Sequence, residues 1–146
     1  MRNLHDSCGR YVMKLAGSLR RRLDSFVADT PMTPMEARVL QFVASAHSAV
    51  YQKDLEQEYG CSAATISELV HGMEQKGLLQ RETDPEDRRR KRLAIPEPMR
   101  ARADAMLVRM VEMEDVLVAG IAPEELDVFL EVIRRMVDRF PPNNSW

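Results

Sequence analysis

The sequence predicts a mainly α-helical chain that carries one small β-hairpin. Three observations carry that expectation. Most stretches with periodic apolar residues repeat at helical rather than alternating spacing. Aromatic residues are only 5% of the 146, while Met reaches 10, and a core of Met and Leu suits helices better than a sandwich of strands. One short segment breaks the helical pattern and surrounds five consecutive basic residues, Arg88 to Arg92. A single chain-long unit, residues 1–146, is expected, large enough to fold without disulfide or metal.

Leu4, Cys8, Tyr11, Val12, Leu15, Leu19, Leu23, Phe26 and Val27 recur at helical spacing and predict a first helix from Leu4 to Val27. Thr33 then reads as an N-cap, with Pro34 at the first helical position and Glu36 completing a capping box. The second helix runs to Ala46, with Met35, Val39, Leu40 and Val43 as its buried stripe. After the connection His47-Ser48-Ala49-Val50, a short helix is expected from Gln52 to Tyr59, stopped by Gly60. Ser62 caps the next, Ala63 to Lys76, whose apolar face is Ile66, Leu69, Val70 and Met73; Gly77 ends it. A short helix, a tight Gly turn and a capped second helix form a helix-turn-helix pattern.

Leu78 to Thr83 reads as a strand, Asp84 to Asp87 as a turn, Arg88 to Arg92 as a charged tip, and Leu93 to Ile95 as the returning strand, closed by Pro96. A hairpin directly after a helix-turn-helix is a wing, so residues 33–96 are expected to be a winged-helix lobe. The longest helix follows from Glu97 to Ala119, with Met106, Met110, Met113 and Leu117 on one stripe. Pro123 opens a last helix with Leu126, Phe129, Leu130, Ile133, Met136, Val137 and Phe140, ended by Pro141 to Asn144.

Several function classes are set aside. Two cysteines, Cys8 and Cys61, are too few for a disulfide scaffold. Arg2, Asn3, His5 and Asp6 do not resemble a secretory leader, and no apolar run reaches the ~20 residues that span a bilayer. The expectation is a cytoplasmic protein without a membrane partner. No Gly-rich phosphate loop, catalytic carboxylate pair or nucleophile–His arrangement stands out, so no enzyme activity and no cofactor are expected. His5, His47 and His71 lack metal-ligand spacing.

At Asp54-Leu55, Ser62 to Ser67, Met73 to Arg81 and Asp84-Pro85-Glu86-Asp87-Arg88-Arg89, the chain resembles the multiple-antibiotic-resistance regulator (MarR) family of winged-helix regulators. The resemblance covers nearly the whole chain. Asp87-Arg88-Arg89 looks like the family's Asp-x-Arg wing signature, and Thr33-Pro34-x-x-Ala37-x-Val39-Leu40 is similar to its second-helix start. Pro96 and Met99 stand where the family commonly has Thr and Gly, and Ala63 and Glu68 where its recognition helix often has Arg. The resemblance implies a sequence-specific regulator of double-stranded DNA, expected to be a repressor. It would act as an obligate homodimer through residues 1–28 and 97–141, on a pseudo-palindromic operator, and be released by a small aromatic or phenolic effector.

A helix in the major groove reads base edges with residues near its N-terminus, whose amides also meet phosphates. Ser62, Ala63, Ala64, Thr65 and Ser67 are therefore the expected base-reading set. The tip residues Asp87, Arg88, Arg89, Arg90 and Lys91 can follow phosphates and insert an Arg into the minor groove. On the family pattern Arg89 inserts, oriented by Asp87 through a charge-assisted bond. Tyr11, Leu15, His47 and Tyr51, with the Met residues of the fifth helix, are the effector candidates, although a Met stripe is also the ordinary signature of a core. Cys8, near Arg10 and His5, is a redox candidate that would make the chain a thiol-based sensor. A third reading is a winged-helix adaptor that has lost DNA binding, since residues 51–76 carry a net charge of −3. The chain's overall −2 hides this unevenness: residues 88–92 carry +5, 4–27 carry +3 and 112–138 carry −6.

Overall fold

The computed structural model describes residues 4–140, and the expected terminator Pro141 to Asn144 lies outside them. Six α-helices and three strands follow in the order α1 (Cys8–Ser25), α2 (Pro34–Ser45), β1 (Val50–Tyr51), α3 (Gln52–Tyr59), α4 (Ala63–Gln75), β2 (Gln80–Thr83), β3 (Lys91–Ala94), α5 (Glu97–Val118) and α6 (Pro123–Val137). The chain divides into two compact units, and the division falls inside α2, between Arg38 and Val39.

In the first unit, the helix expected to start at Leu4 is broken. Leu4–Asp6 is a 3₁₀ turn, and α1 begins at Cys8 because Ser7 takes the N-cap and its Oγ accepts from the Arg10 N–H at 3.3 Å. A hydroxyl that satisfies an end amide competes with continued helix, which periodicity alone does not register. Arg38 reaches back to Asp24 at 3.2 Å. Val27, Met32 and Ala37 are buried, whereas α1 buries none of its residues.

The start of α2 follows the sequence closely. The Glu36 carboxylate accepts from the Thr33 N–H at 2.8 Å, and the Thr33 hydroxyl accepts from the Glu36 N–H at 3.2 Å. Thr33→Ala removes one half of this reciprocal cap and is expected to cost about 1 kcal/mol of stability, read as a lower urea midpoint at unchanged slope.

The second unit holds the larger core. Val39, Leu40, Leu55, Ile66, Val70, Met73 and Leu79 are almost fully excluded from solvent, joined by Leu78, Leu93 and Ile95 from the hairpin and Ala103 and Met106 from α5. Of the predicted stripes, Met35, Val43 and Leu69 in the first half of the chain and Met110, Met113 and Leu117 on α5 are only half-buried. Gly60 ends α3 in the left-handed region at φ 62°, and Gly77 follows α4 at φ 68°, so both stops sit where only glycine is unstrained.

The sheet differs from a simple hairpin. Val50 and Tyr51, read from the sequence as connection and helix approach, form β1 and pair antiparallel with Leu93 and Arg92, giving the order β1-β3-β2. A two-residue strand is too short to show alternation. The hairpin register pairs Gln80 with Ala94, Arg81 with Leu93, Glu82 with Arg92 and Thr83 with Lys91. Lys91 and Arg92 therefore belong to β3 rather than the tip, and Leu78 and Leu79 precede β2. At the far end α6 stops at Val137, so Phe140 lies beyond the helix predicted to contain it. Among the described residues no helix is long and apolar enough to cross a membrane, and no group of three His, Cys, Asp or Glu could hold a metal ion.

Candidate nucleic-acid interface

α4 has two chemically distinct faces. Ile66, Val70 and Met73 are buried, while Ser62, Ala63, Ala64, Thr65 and Ser67 are all exposed, with Glu68 beside them. The Ser62 Oγ accepts from the Thr65 N–H at 3.2 Å, and the two hydroxyls lie 2.9 Å apart. Ser62 thus fixes the helix start, which leaves the first amides of α4 pointing outward without helical partners. Small side chains around those amides permit a phosphate backbone to approach closely.

The wing is ordered by its own side chains. Its loop closes through the Asp84 N–H to the Arg90 carbonyl at 3.1 Å and the Arg90 N–H to the Asp87 carbonyl at 2.9 Å. The Asp87 carboxylate accepts from the Arg89 backbone N–H at 3.0 Å. Asp87 therefore shapes the tip through the main chain, not through the expected bond to the Arg89 guanidinium; a short Asp side chain bonds most readily to the amide two residues on. Lys91 donates to the Thr83 hydroxyl at 2.6 Å, and Arg92 donates to Glu82 at 2.9 Å through one nitrogen and 3.2 Å through another.

Those bonds sort the basic run. Arg90 places its guanidinium carbon 3.6 Å from the centroid of the Tyr51 ring. Arg88 and Arg89 are exposed, and neither guanidinium makes a hydrogen bond or ion pair among the described residues. Of five consecutive cations, these two stand at the apex with neither a bonded side chain nor a stacked ring.

Sequence reasoning missed two linkages. Arg81 on β2 binds Glu74 of α4 through its guanidinium and, at 3.0 Å, through its backbone N–H, and reaches Gln52 of α3 at 3.1 Å. α4, the hairpin and α3 are thereby joined at one side chain. This pairing also accounts for part of the acidic charge over residues 51–76: Glu74 is neutralised by Arg81, and the Asp54 carboxylate accepts from the Tyr51 N–H at 2.8 Å. The only sequence signal for the first linkage was an isolated Arg in a short strand, with nothing to indicate its partner.

The second linkage joins Tyr51 to the wing. The Tyr51 hydroxyl donates to the carboxylate of Asp84, which is 4% exposed and also accepts from the Glu86 N–H at 2.8 Å. The Tyr51 bond, followed by the Glu86 amide, holds the Asp84 carboxyl below its ordinary range, while the same bond, reinforced by burial, pushes the Tyr51 phenol up. Arg92, then Gln80, lowers the Glu82 carboxyl. Carboxyls with depressed values contribute stability that is present above ~4 and lost as pH falls through the lowered values; a phenol with a raised value contributes below ~10 and loses it only above that. The amide resonances of Glu86 and Arg90 are accordingly expected to stay constant between about pH 5 and 9 and to shift on acidification below about pH 4. A titration step near neutrality would contradict this wiring.

A cleft of about 710 Å³ opens in the second unit, with Phe42, Tyr51, Asp54, Glu58, Arg90 and Val137 among its lining residues. Of the effector candidates, Tyr51 lines it. His47 is exposed in the turn between the lining residues Ala46 and Ser48, and Tyr11 and Leu15 are exposed on α1 in the other unit. Cys8 is exposed at the start of α1, and Cys61 is half-buried, its thiol donating to the Tyr59 carbonyl at 3.5 Å.

Comparison with known proteins bears on this arrangement. Residues 30–90 match the model of the MarR family. The fold is similar to the transcription regulator MarR from Oenococcus oeni PSU-1, with 23% identity over 90% of this chain and 99% of that one and a TM-score of 0.79. It is similar to MepR of S. aureus in a complex with DNA, with 19% identity over 94% of this chain and 99% of that one and a TM-score of 0.78. CouR from Rhodococcus jostii RHA1, bound to p-coumaroyl-CoA, aligns over 97% of both chains with 23% identity and a TM-score of 0.79.

Proposed function

We propose that this chain, whose residues 30–90 match the MarR family model, is a transcriptional regulator of that kind that binds a pseudo-palindromic operator as a homodimer and represses transcription until a small ligand releases it. The observation that carries the reading is the pair of unrestrained guanidinium groups, Arg88 and Arg89, at the apex of a wing whose Arg90 is stacked on Tyr51 and whose Lys91 and Arg92 are bonded within the hairpin. Arg89 enters the minor groove, Arg88 follows phosphates, and Ser62, Ala63, Ala64, Thr65 and Ser67 face the major groove. The solved relative MepR is bound to DNA, which supports the same use of this fold here.

The dimer reading rests on apolar surface. α1 and α6 bury no residue in the single chain, yet Tyr11, Val12 and Leu15 on α1, and Val128, Phe129 and Val132 on α6, stand exposed. Apolar surface of this kind marks an interface, so residues 1–28 and 97–141 are assigned to dimerisation and 33–96 to DNA. The effector is assigned to the cleft at Tyr51, whose volume falls in the range for small-molecule sites. CouR holds p-coumaroyl-CoA, which supports an aromatic ligand class. The protein would act in the cytoplasm, where its operator is.

Selection of bound duplexes from a random pool at controlled salt tests this reading. A recovered consensus with two-fold symmetry, whose affinity falls steeply with salt, is the expected result; failure to enrich any sequence would favour an adaptor instead. The exposure of Cys8 favours one second reading, a thiol sensor, which dimedone trapping after peroxide treatment would detect.

A further inference from the structure

We propose that Tyr51 is the positioning residue of the wing: it holds both ends of the loop 84–90 and so sets the direction in which Arg88 and Arg89 are presented. The inference rests on the wing reading above and assigns it a control point outside the wing.

The N-cap of α3 is an unusual residue for its place. That position favours a short polar side chain, which would bond to the free amides of the helix. Here it is Tyr51, too long to turn back, and the Asp54 carboxylate accepts from the Tyr51 N–H instead. The aromatic side chain is thereby released to reach across the sheet. Its hydroxyl donates to Asp84, the first residue of the wing loop, and its ring lies beneath Arg90, the last. Asp84 is nearly inaccessible, and a buried carboxylate must be supplied with donors; Pro85 has no N–H to offer, so the phenol and the Glu86 amide supply them. The guanidinium–ring contact adds a cation–π attraction at the other end. With 84 and 90 both tethered to one rigid side chain on β1, the apex between them is ordered before DNA arrives, which lowers the cost of ordering it on binding.

Four proteins separate this role from a purely structural one: wild type, Tyr51→Phe, Arg89→Ala and the double variant, each measured against the selected operator. Tyr51→Phe keeps the ring under Arg90 and loses only the bond to Asp84. It is expected to weaken binding roughly 3- to 10-fold in the wild-type background and less than about twofold when Arg89 is already Ala. Asp84→Asn should reproduce the loss without adding to it, and thermal midpoints identify any variant that fails to fold. Equal losses from Tyr51→Phe in both backgrounds would mean a general structural effect and overturn the proposal. Wild-type affinity for Tyr51→Phe, with Arg89→Ala still impaired, would overturn it while leaving the wing reading intact; an unimpaired Arg89→Ala would overturn both.

Discussion

Replacing Arg88 and Arg89 together by Ala is expected to weaken operator binding by about 100-fold and to reduce the slope of log affinity against log salt by about 2. The size follows from the chemistry of the tip. Each guanidinium that meets a phosphate or a groove edge contributes roughly 1–2 kcal/mol, and each phosphate neutralised releases close to one counterion. The remaining cations of the run are less free to reorient, because Lys91 is bonded to Thr83, Arg92 to Glu82, and Arg90 is stacked on Tyr51. Fluorescence anisotropy at four or more salt concentrations, say from about 0.05 to 0.5 M, measures both quantities. An unchanged slope would show that DNA contacts lie elsewhere, and the open apex would then need another explanation. Arg92→Ala is the useful contrast: it breaks the cross-strand pair with Glu82 and should loosen the hairpin while leaving the apex cations in place.

The order of elements was legible in the sequence because it is written in short-range chemistry. Thr33 with Glu36, Gly60, Ser62 and Gly77 each act on amides or torsions within a few residues of themselves, and each ends or starts a helix where expected. The candidate base-reading face of α4 was legible for the same reason, since burying Ile66, Val70 and Met73 turns Ala64 and Ser67 outward, while Ser62 and Ala63 are exposed at the helix start. What could not be read is everything that depends on residues distant in sequence. Tyr51 and Asp84 are 33 positions apart, and Gln52 and Arg81 are 29 apart. No local pattern couples them, and Tyr51 read alone looked like a lining residue for an effector. It does line the cleft, but its hydroxyl and ring are already engaged with the wing.

The same distinction alters the meaning of charge. Counted along the chain, residues 51–76 looked too acidic for a DNA-binding segment. Counted in space, Glu74 faces Arg81 and Asp54 closes the start of α3, so the acids still open to solvent on this segment are Glu58 and Glu68, with Glu56 half-covered. The basic run loses one charge by the same procedure, Arg92 to Glu82, while Lys91 and Arg90 keep theirs beside a neutral hydroxyl and a neutral ring. Both corrections come from pairing, and they leave Arg88 and Arg89 as the cations of the run that no side chain restrains.

Ile66→Ala is expected to lower the unfolding free energy by about 2–4 kcal/mol, a large part of the ~5–15 kcal/mol that holds a domain of this size together. Ile66 is 0% exposed, on the face of α4 that shares the core with Leu55 of α3, Val70 and Met73. Truncation removes three carbons from a site with no route for solvent, so the transfer loss is compounded by the cavity left behind. Urea denaturation should show the midpoint falling with little change in slope. Ser67→Ala, one residue further along the same helix, provides the opposing case: it is exposed, so stability should stay within about 0.5 kcal/mol while operator affinity falls. If Ile66→Ala cost less than about 1 kcal/mol, the packed face of the helix would be assigned wrongly. The exposed set would then lose its footing too, because Ala64 and Ser67 can face DNA only if Ile66 faces the core.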